Sequence, residues 1–368
     1  SNGERTKVLL AALFLNEGRF LLIDEPTNHL DLQGRALVSA YLARKKGFIL
    51  VSHDRDFLDG CVDHILSLNR ADIQVRAGNF SSWMENFQRQ QSFEEAQNQR
   101  LKKDVKRLKQ AARRTQQWSN KIEASKQGAY DKGFVGHKSA KMMKRSKSIE
   151  ARQTAAIEEA ESLLQNAETA DRLKLSPLQY HAETLVRYRD AAACYDGRPV
   201  CPPVTFEIRR GERIALDGPN GSGKSSLMKL LLDASLDHTG TVTVGSGLVV
   251  SHVPQNTDHL QGSLTEFVRA HKLEEALFKA ILRKMDFARA QFEKDLSDYS
   301  AGQKKKVLLA KSLCEQAHLY IWDEPLNYID VYSRMQIETL IQEFAPTMLF
   351  VEHDKAFREA VATKVVSL

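Results

Sequence analysis

The run Gly218-Pro219-Asn220-Gly221-Ser222-Gly223-Lys224-Ser225 spells G-x-x-x-x-G-K-[ST]. It follows a strand-like stretch, Arg213-Ile214-Ala215-Leu216, and opens a helix-like one from Ser226 to Leu232. That context turns a spelling into a phosphate loop. Its glycines let the backbone curl so that successive N–H groups face phosphate oxygens, and the helix start adds partial positive charge. Lys224 is then expected to reach the β- and γ-phosphates and the Ser225 hydroxyl to ligate Mg²⁺, with Ser226 beside them among the nucleotide contacts. The chemistry is that of ATP and Mg²⁺.

A second motif supplies what a phosphate loop lacks. Leu319-Tyr320-Ile321-Trp322-Asp323-Glu324 reads as a buried strand ending in two carboxylates. Asp323 is placed to hold Mg²⁺ and Glu324 to polarise an attacking water. His353 ends a further strand-like run, Thr347 to Val351, where an imidazole can meet a γ-phosphate. Both motifs occur twice. Asp24-Glu25-Pro26 recurs 299 residues later as Asp323-Glu324-Pro325, and Ser52-His53-Asp54 recurs 300 later as Glu352-His353-Asp354. Ser1-Asn2-Gly3-Glu4 before Lys7-Val8-Leu9-Leu10-Ala11 likewise returns as Ser300-Ala301-Gly302-Gln303 before Lys306-Val307-Leu308-Leu309-Ala310. Blocks matched in order at near-constant offset mean two copies of one domain. Glu25 and His53 are therefore paired with Glu324 and His353 as catalytic candidates, and Asp24 with Asp323 as a metal ligand.

The elements that must carry these residues follow from the repeat. The second copy has about 115 residues upstream of Ser300, whereas nothing precedes Ser1, so the first copy is expected to be a fragment. The organisation expected is α/β: residues 1–79 as the later part of a first domain, 80–180 as a helical linker, 181–368 as a second domain. From about 80 to 126 no proline or mid-run glycine interrupts the chain; Gly128, Gly133 and Gly136 then break the pattern, and a second helical run spans about 139–168. Two such arms joined by a glycine-bearing tip predict an antiparallel hairpin, reaching roughly 45–65 Å at ~1.5 Å per residue.

Charge singles out the same segment. Residues 100–152 hold 17 Lys/Arg against four acidic residues, so that within a net charge of +6 the remainder of the chain is acidic. One basic segment on an acidic body points to a specific polyanion. No apolar run is long enough to span a bilayer, there is no signal-peptide layout, and the four cysteines form no C-x-x-C pair, which together predict a cytoplasmic protein with reduced thiols.

Ser-x-Gly-[Glu/Gln], Asp-Glu-Pro and the later histidine together resemble the ATP-binding-cassette family, whose fingerprint is Ser-Gly-Gly-Gln. The resemblance implies that Ser300, Gly302 and Gln303, and likewise Ser1, Gly3 and Glu4, clasp the γ-phosphate bound by the opposite domain, so that the two copies pair within the chain. It implies that Gln255 senses Mg²⁺ and water, and that Tyr195 stacks on adenine, with Tyr188 a nearby alternative. Two cassettes joined by a basic hairpin, and the wording Asp24-Glu25-Pro26-Thr27-Asn28-His29-Leu30-Asp31, are similar to the ABC-F subfamily of ribosome-acting ATPases. The hairpin text around Arg113, Arg114, Trp118, Phe134, His137, Lys138, Lys141, Lys144 and Arg145 resembles the proteins that protect ribosomes from lincosamides, streptogramin A and pleuromutilins. Of those residues Arg113, Arg114, Phe134, His137, Lys138, Lys141, Lys144 and Arg145 are then expected to contact rRNA and the acceptor stem of peptidyl-tRNA, from the ribosomal exit site, with no DNA and no membrane as partner. A housekeeping ABC-F translation factor is the nearest alternative, then a transporter ATPase subunit or a chromosome-organising ATPase. The second copy departs from the pattern at Ala301, Leu326 and Tyr328, and the first at Asn2 and Glu4, which predicts two sites with unequal rates.

Overall fold

The computed structural model describes residues 2–124 and 175–368, apart from 16, 17, 28, 29, 46, 69–72, 234 and 286. Residues 1–81 and 172–368 form one compact unit and residues 82–171 another.

The second copy is built on a five-stranded, all-parallel sheet. Its strands are Val250–Val253 (β10), Leu319–Asp323 (β11), Met348–Val351 (β12), Arg213–Asp217 (β8) and Lys364–Ser367 (β13), lying side by side in that order. A sheet covered on both faces needs apolar residues at every position, and every residue of β11 and β12 is buried. Successive residues point to opposite faces. Tyr320, Trp322 and Phe350 enter a core beneath the helices, while Leu319, Ile321 and Leu349 enter one beneath a second layer. That layer is antiparallel: Thr184–Tyr195 (β5) pairs with Arg198–Pro199 (β6), Val204–Arg209 (β7) and His238–Val244 (β9). The packing reaches upstream of residue 181, because Leu175 and Tyr180 are buried members of the two cores.

The first copy repeats the later half of this plan. Helix Asn2–Phe14 (α1) precedes strand Leu21–Asp24 (β1), helix Leu32–Leu42 (α2), strand Phe48–Val51 (β2), helix Arg55–Cys61 (α3) and a hairpin of His64–Leu68 (β3) with Ile73–Ala77 (β4). The strands are parallel with Asp24 opposite Val51, the register that puts Asp323 opposite Val351. One face packs Leu10, Leu21, Ile23, Leu30, Val38, Leu42 and Phe57 into a small core. On the other face Leu22 and Ile49 are 69% and 54% exposed, where their counterparts Ile321 and Leu349 are buried under the antiparallel layer.

The other unit contains most of a single helix, Phe80–Ala124 (α4), 45 residues long. Arg100, Lys103, Lys106, Arg107, Lys109 and Arg114 are exposed along it, while Val105 is buried. The hairpin tip and the second arm expected at 139–168 lie outside the described residues. Among the described residues no helix is long and apolar enough to cross a membrane, and Cys61, Cys194, Cys201 and Cys314 are free thiols.

Candidate functional site

Strand β8 runs into the glycine-rich loop, and helix Lys224–Lys229 (α5) leaves it. Gly223, capping that helix, has φ +89° and lies against Val200 and Cys201, where a Cβ would meet the Val200 carbonyl at 2.9 Å. Only glycine serves there. Lys224 is buried, and its Nζ donates to the carbonyls of Gly218 at 2.7 Å and Pro219 at 2.9 Å. Burial lowers its pKa, an effect opposed by Glu324, Asp217, Asp323 and, from the first copy, Asp31. Asn220 and Gly221 are exposed at the loop's crown, while Ser222, Ser225 and Ser226 are half-buried.

The catalytic strand reaches this loop from the middle of the sheet. Asp323 makes a side-chain hydrogen bond with Ser225, and burial raises its pKa. Asp323 Oδ1 and Ser222 Oγ are buried without a hydrogen-bond partner. Such atoms are costly unless a ligand satisfies them, and an oxygen donor set of carboxylate, hydroxyl and amide suits Mg²⁺. Asp323, Ser225 and Gln255 therefore fit the ion they were expected to hold.

Glu324 turns off the strand end in the left-handed region, φ +47°, with its N–H still donating to Val351. A non-glycine residue there is strained by about 1–3 kcal/mol, a cost that accumulates at working sites. Its Oε1 lies 3.5 Å from His353 Nε2, and its Oε2 accepts from Asn327 Nδ2 at 2.7 Å. Burial pushes its pKa up, but the neighbouring His353 and hydrogen bonds from Gln255 and Asn327 outweigh that and hold it at about 2. Lys224, Ser225, Gln255, Asp323, Glu324 and His353 are thus brought together.

In the first copy, Glu25 likewise leaves its strand with φ +46°, and its Oε1 lies 3.4 Å from His53 Nε2. Asp24 ends the strand beside it. Here burial and Asp24 prevail over Arg334 and the His53 backbone, and the pKa rises to about 7.

The fingerprint residues have visible local duties. Ser300 caps helix Ala301–Cys314 (α8): its hydroxyl accepts from the Gln303 N–H at 3.3 Å, and Gln303 Oε1 accepts from the Ser300 N–H at 3.0 Å. This capping box presents the helix start as a fixed turn. Gly302 is the close-approach point, because a Cβ would meet the Tyr328 carbonyl at 2.9 Å. Gly3 and Glu4 lie in the first turn of α1, Glu4 exposed, and Ser1 lies outside the described residues. Of the two tyrosines, Tyr195 is 41% exposed at the end of β5, whereas Tyr188 is fully buried and stacked on Phe206. In the linker Arg114 is exposed and Arg113 lies on α4. Phe134, His137, Lys138, Lys141, Lys144 and Arg145 lie outside the described residues.

Several residues that hold the site were not singled out from sequence. Arg334 Nε donates to the Ile329 carbonyl at 2.9 Å and Nη1 to Asp354 at 3.1 Å, while Asp354 caps helix Lys355–Val361 (α10). Arg35 repeats this with Leu30 at 3.0 Å and Asp54 at 2.5 Å, and also donates to the His353 carbonyl at 3.2 Å. The same 299- and 300-residue offsets relate these pairs, so the repeat could have revealed them. Arg55 crosses between copies to Glu338 at 2.9 Å and Asp354 at 3.4 Å. Lys305 Nζ donates to the carbonyls of Pro254 (2.7 Å), Asp323 (3.1 Å) and Gln255 (3.3 Å), and burial lowers its pKa to about 8. No motif marks Lys305 or Arg55.

Residues 201–327 match the family model described as ABC transporter, which places an ABC-type domain over the phosphate loop, fingerprint and catalytic strand. The chain is 28% identical to the ribosome protection protein VmlR of Bacillus subtilis, over 98% of this chain and 66% of that protein. It is 27% identical to the energy-dependent translational throttle protein EttA of Haemophilus influenzae, over 100% of this chain and 63% of that protein. The fold is similar to that in the crystal structure of archaeal ribosome recycling factor aABCE1 with stalk protein aP1 (TM-score 0.60, 20% identity, 100% of this chain and 61% of that one). Over almost its whole length the chain is thus similar to proteins of the ABC-F kind, and it has the α/β fold of tandem ABC domains. It spans 55–66% of the length of such curated relatives.

Proposed function

We propose that this chain hydrolyses ATP and acts on the ribosome in the cytoplasm, and that in full form it protects the peptidyl-transferase centre from antibiotics. The observation that carries the ATPase reading is Glu324, held on a strained turn by Gln255, Asn327 and His353, next to the Lys224 loop. Lys224 would bind the β- and γ-phosphates, and the loop N–H groups would orient them. Mg²⁺, held by Ser225, Asp323 and Gln255, would neutralise charge gathering on the phosphates. Held low by its neighbours, the Glu324 carboxyl is ionised at neutral pH and would be placed to orient and polarise the attacking water. His353 would contact the γ-phosphate, and Tyr195 would stack on adenine. Glu25, His53 and Asp24, opposite Ser300, Gly302 and Gln303, would serve the second site of the pair, as Ser1, Gly3 and Glu4 would serve the first.

The ribosomal part rests on relatives that match across both copies and the linker, two of them named for ribosome protection and translational throttling. It is supported by the exposed cations of α4, since rRNA and tRNA offer dense phosphate and shape. In this reading the linker follows the acceptor stem of peptidyl-tRNA from the exit site, with Arg113, Arg114, Lys138, Lys141, Lys144 and Arg145 on phosphates and Phe134 and His137 near the drug site. The near-equal identity to the throttle protein favours a second reading, a translation factor without a drug-protective tip.

The tests are ATP turnover, ribosome pelleting and growth inhibition by lincosamides, pleuromutilins and streptogramin A. Lys224→Ala should weaken nucleotide binding. Phe134→Ala with His137→Ala should lower drug tolerance while turnover and pelleting stay near wild type. Neutralising Lys141, Lys144 and Arg145 should weaken pelleting and its salt dependence. Equal loss of pelleting and tolerance in the tip variant would favour the throttle reading.

A further inference from the structure

The turn after the catalytic glutamate and the turn bearing the switch histidine are tied together differently in the two copies. In the first copy the tie is a hydroxyl pair: Thr27 Oγ1 lies 3.3 Å from Ser52 Oγ, which also accepts from the Asp54 N–H at 3.2 Å. Offsets of 299 and 300 carry these positions to Leu326 and Glu352. In the second copy Leu326 and Glu352 are both buried, and the hydroxyl pair is replaced by a carboxylate. Glu352 Oε2 accepts from the Leu326 N–H at 3.2 Å, and Oε1 accepts from the N–H groups of His353 at 2.7 Å and Asp354 at 3.3 Å. One side chain therefore grips the backbone on both sides of the catalytic carboxylate. A carboxylate accepting several backbone N–H groups makes charge-assisted bonds, stronger than a hydroxyl contact.

The exchange is coherent as a pair. Thr27 offers Ser52 a side-chain partner; Leu326 has none to offer, and the longer Glu352 reaches the Leu326 backbone instead. Leu326 is followed by Asn327, which donates to Glu324, and Glu352 is followed by His353, which lies beside Glu324. We propose that Glu352 is a positioning residue of the second copy, clamping the Leu326 and His353 turns so that Asn327 and His353 converge on Glu324. It touches neither nucleotide nor water in this scheme. The inference rests on the ATPase reading for its kinetic consequence, whereas the clamp itself can be read without turnover.

The experiment compares this chain with Glu352→Gln, Glu352→Ser and the paired reversal Leu326→Thr with Glu352→Ser. Steady-state ATP turnover should fall about tenfold in kcat for Glu352→Ser with KM within about twofold, the signature of lost transition-state alignment. Glu352→Gln, which keeps an acceptor oxygen, should lose less. The paired reversal, rebuilding the hydroxyl tie of the first copy, should recover most of the lost kcat, a coupling that independent structural losses would not produce. Amide hydrogen exchange is followed in the same proteins. In Glu352→Ser the amides of Leu326 and His353 should exchange about tenfold faster or more, while those of β8 stay unchanged. Unchanged exchange at 326 and 353, or a paired variant no better than Glu352→Ser, overturns the proposal. If Lys224→Ala and Glu324→Gln also leave turnover untouched, the ATPase reading fails, and exchange alone decides the clamp.

Discussion

Glu25 and Glu324 occupy equivalent strand ends in the two copies, with φ of +46° and +47° and a histidine 3.4 Å and 3.5 Å away. Their carboxyls nevertheless lie far apart, at about 7 and about 2. The backbone at the two glutamates is the same to within a degree in φ, and the difference comes from what faces the oxygens. Glu324 receives hydrogen bonds from Gln255 and Asn327; Glu25 is dominated by burial, with Arg334 lowering it and Asp24 raising it. A duplicated scaffold can thus hold two differently tuned groups, because geometry is set by strand register and pKa by the surroundings.

The largest effect expected from this contrast is kinetic. Glu324→Gln should lower ATP turnover by about a hundredfold or more while nucleotide affinity is kept, since removing a positioned group of this kind costs 10²–10⁴. Glu25→Gln in the same chain should change turnover by less than about threefold. Equal losses would break the comparison and make the two carboxylates functional equivalents.

Next in size is the buried ion pair that each copy places behind its histidine. Arg334 and Asp354 are 6% and 2% exposed at the side chain, and Arg35 and Asp54 are 10% and 6% exposed. Removing one partner of such a pair costs about 3–5 kcal/mol, because a buried charge is left behind. Arg334→Ala should therefore lower the thermal midpoint markedly. Arg35→Ala should do so as well and should also disturb turnover at Glu324, because Arg35 donates to the His353 carbonyl. Denaturant titration of both variants, with their turnover, checks this.

The pH dependence of stability should carry opposite signs at the two carboxyls. Glu25 has a folded pKa raised from 4.5 to about 7. The fold then binds a proton that the unfolded chain has released, so stability falls as pH rises through that window. Glu324 is lowered from 4.5 to about 2. Its contribution is present above 4.5 and lost as pH falls toward 2. Between about pH 5 and pH 8 wild type should lose stability relative to Glu25→Gln, by no more than about 3 kcal/mol. Parallel stability curves for the two proteins over that range would remove the distinction.

How much of this was legible beforehand depends on whether a residue is marked by spacing or by surroundings. The phosphate loop, both Asp-Glu-Pro ends and both histidines are fixed by short motifs at constant offsets, and the fold brings the second set together around Glu324. The α/β class followed from the strand, loop and helix around Lys224 and from the resemblance to ATP-binding cassettes. The divergence of Glu25 from Glu324 could not be read, because it depends on the burial of each strand end and on a side chain distant in sequence, Gln255. Lys305 was equally hidden: a lysine in a basic run, Lys304-Lys305-Lys306, looks solvated until the fold buries its ammonium among three carbonyls. The rates expected to differ between sites were inferred from Ala301, Leu326 and Tyr328 with Asn2 and Glu4, and the structure adds Glu352 as a further departure with visible partners.

The smallest effect concerns an ion pair between the copies, and it too is one-sided. Arg55 of the first copy reaches Glu338 and Asp354 of the second, whereas its counterpart Lys355 pairs with Glu359 on its own helix at 3.8 Å. The counterpart of Glu338 is Ser39, whose hydroxyl donates to the Phe57 carbonyl at 3.4 Å, so the reverse bridge has no acid to land on. The Arg55 and Glu338 side chains are 14% and 19% exposed. Screening by salt is then weaker than for a surface pair, and the bond between charged groups contributes about 1.5–3 kcal/mol at most. Asp354 keeps Arg334 when Arg55 is removed, so no buried charge is stranded. Arg55→Ala should therefore cost about 1–2 kcal/mol, less than Arg334→Ala. A double-mutant cycle with Glu338→Gln measures the pairwise part directly. A coupling near zero would mean that this bridge adds nothing to the other contacts between the copies, the packing of α3 against α10 and the Arg35 bond to the His353 carbonyl. A cost for Arg55→Ala equal to that of Arg334→Ala would mean that Asp354 needs both arginines, and that the second copy's switch turn is supported from the first.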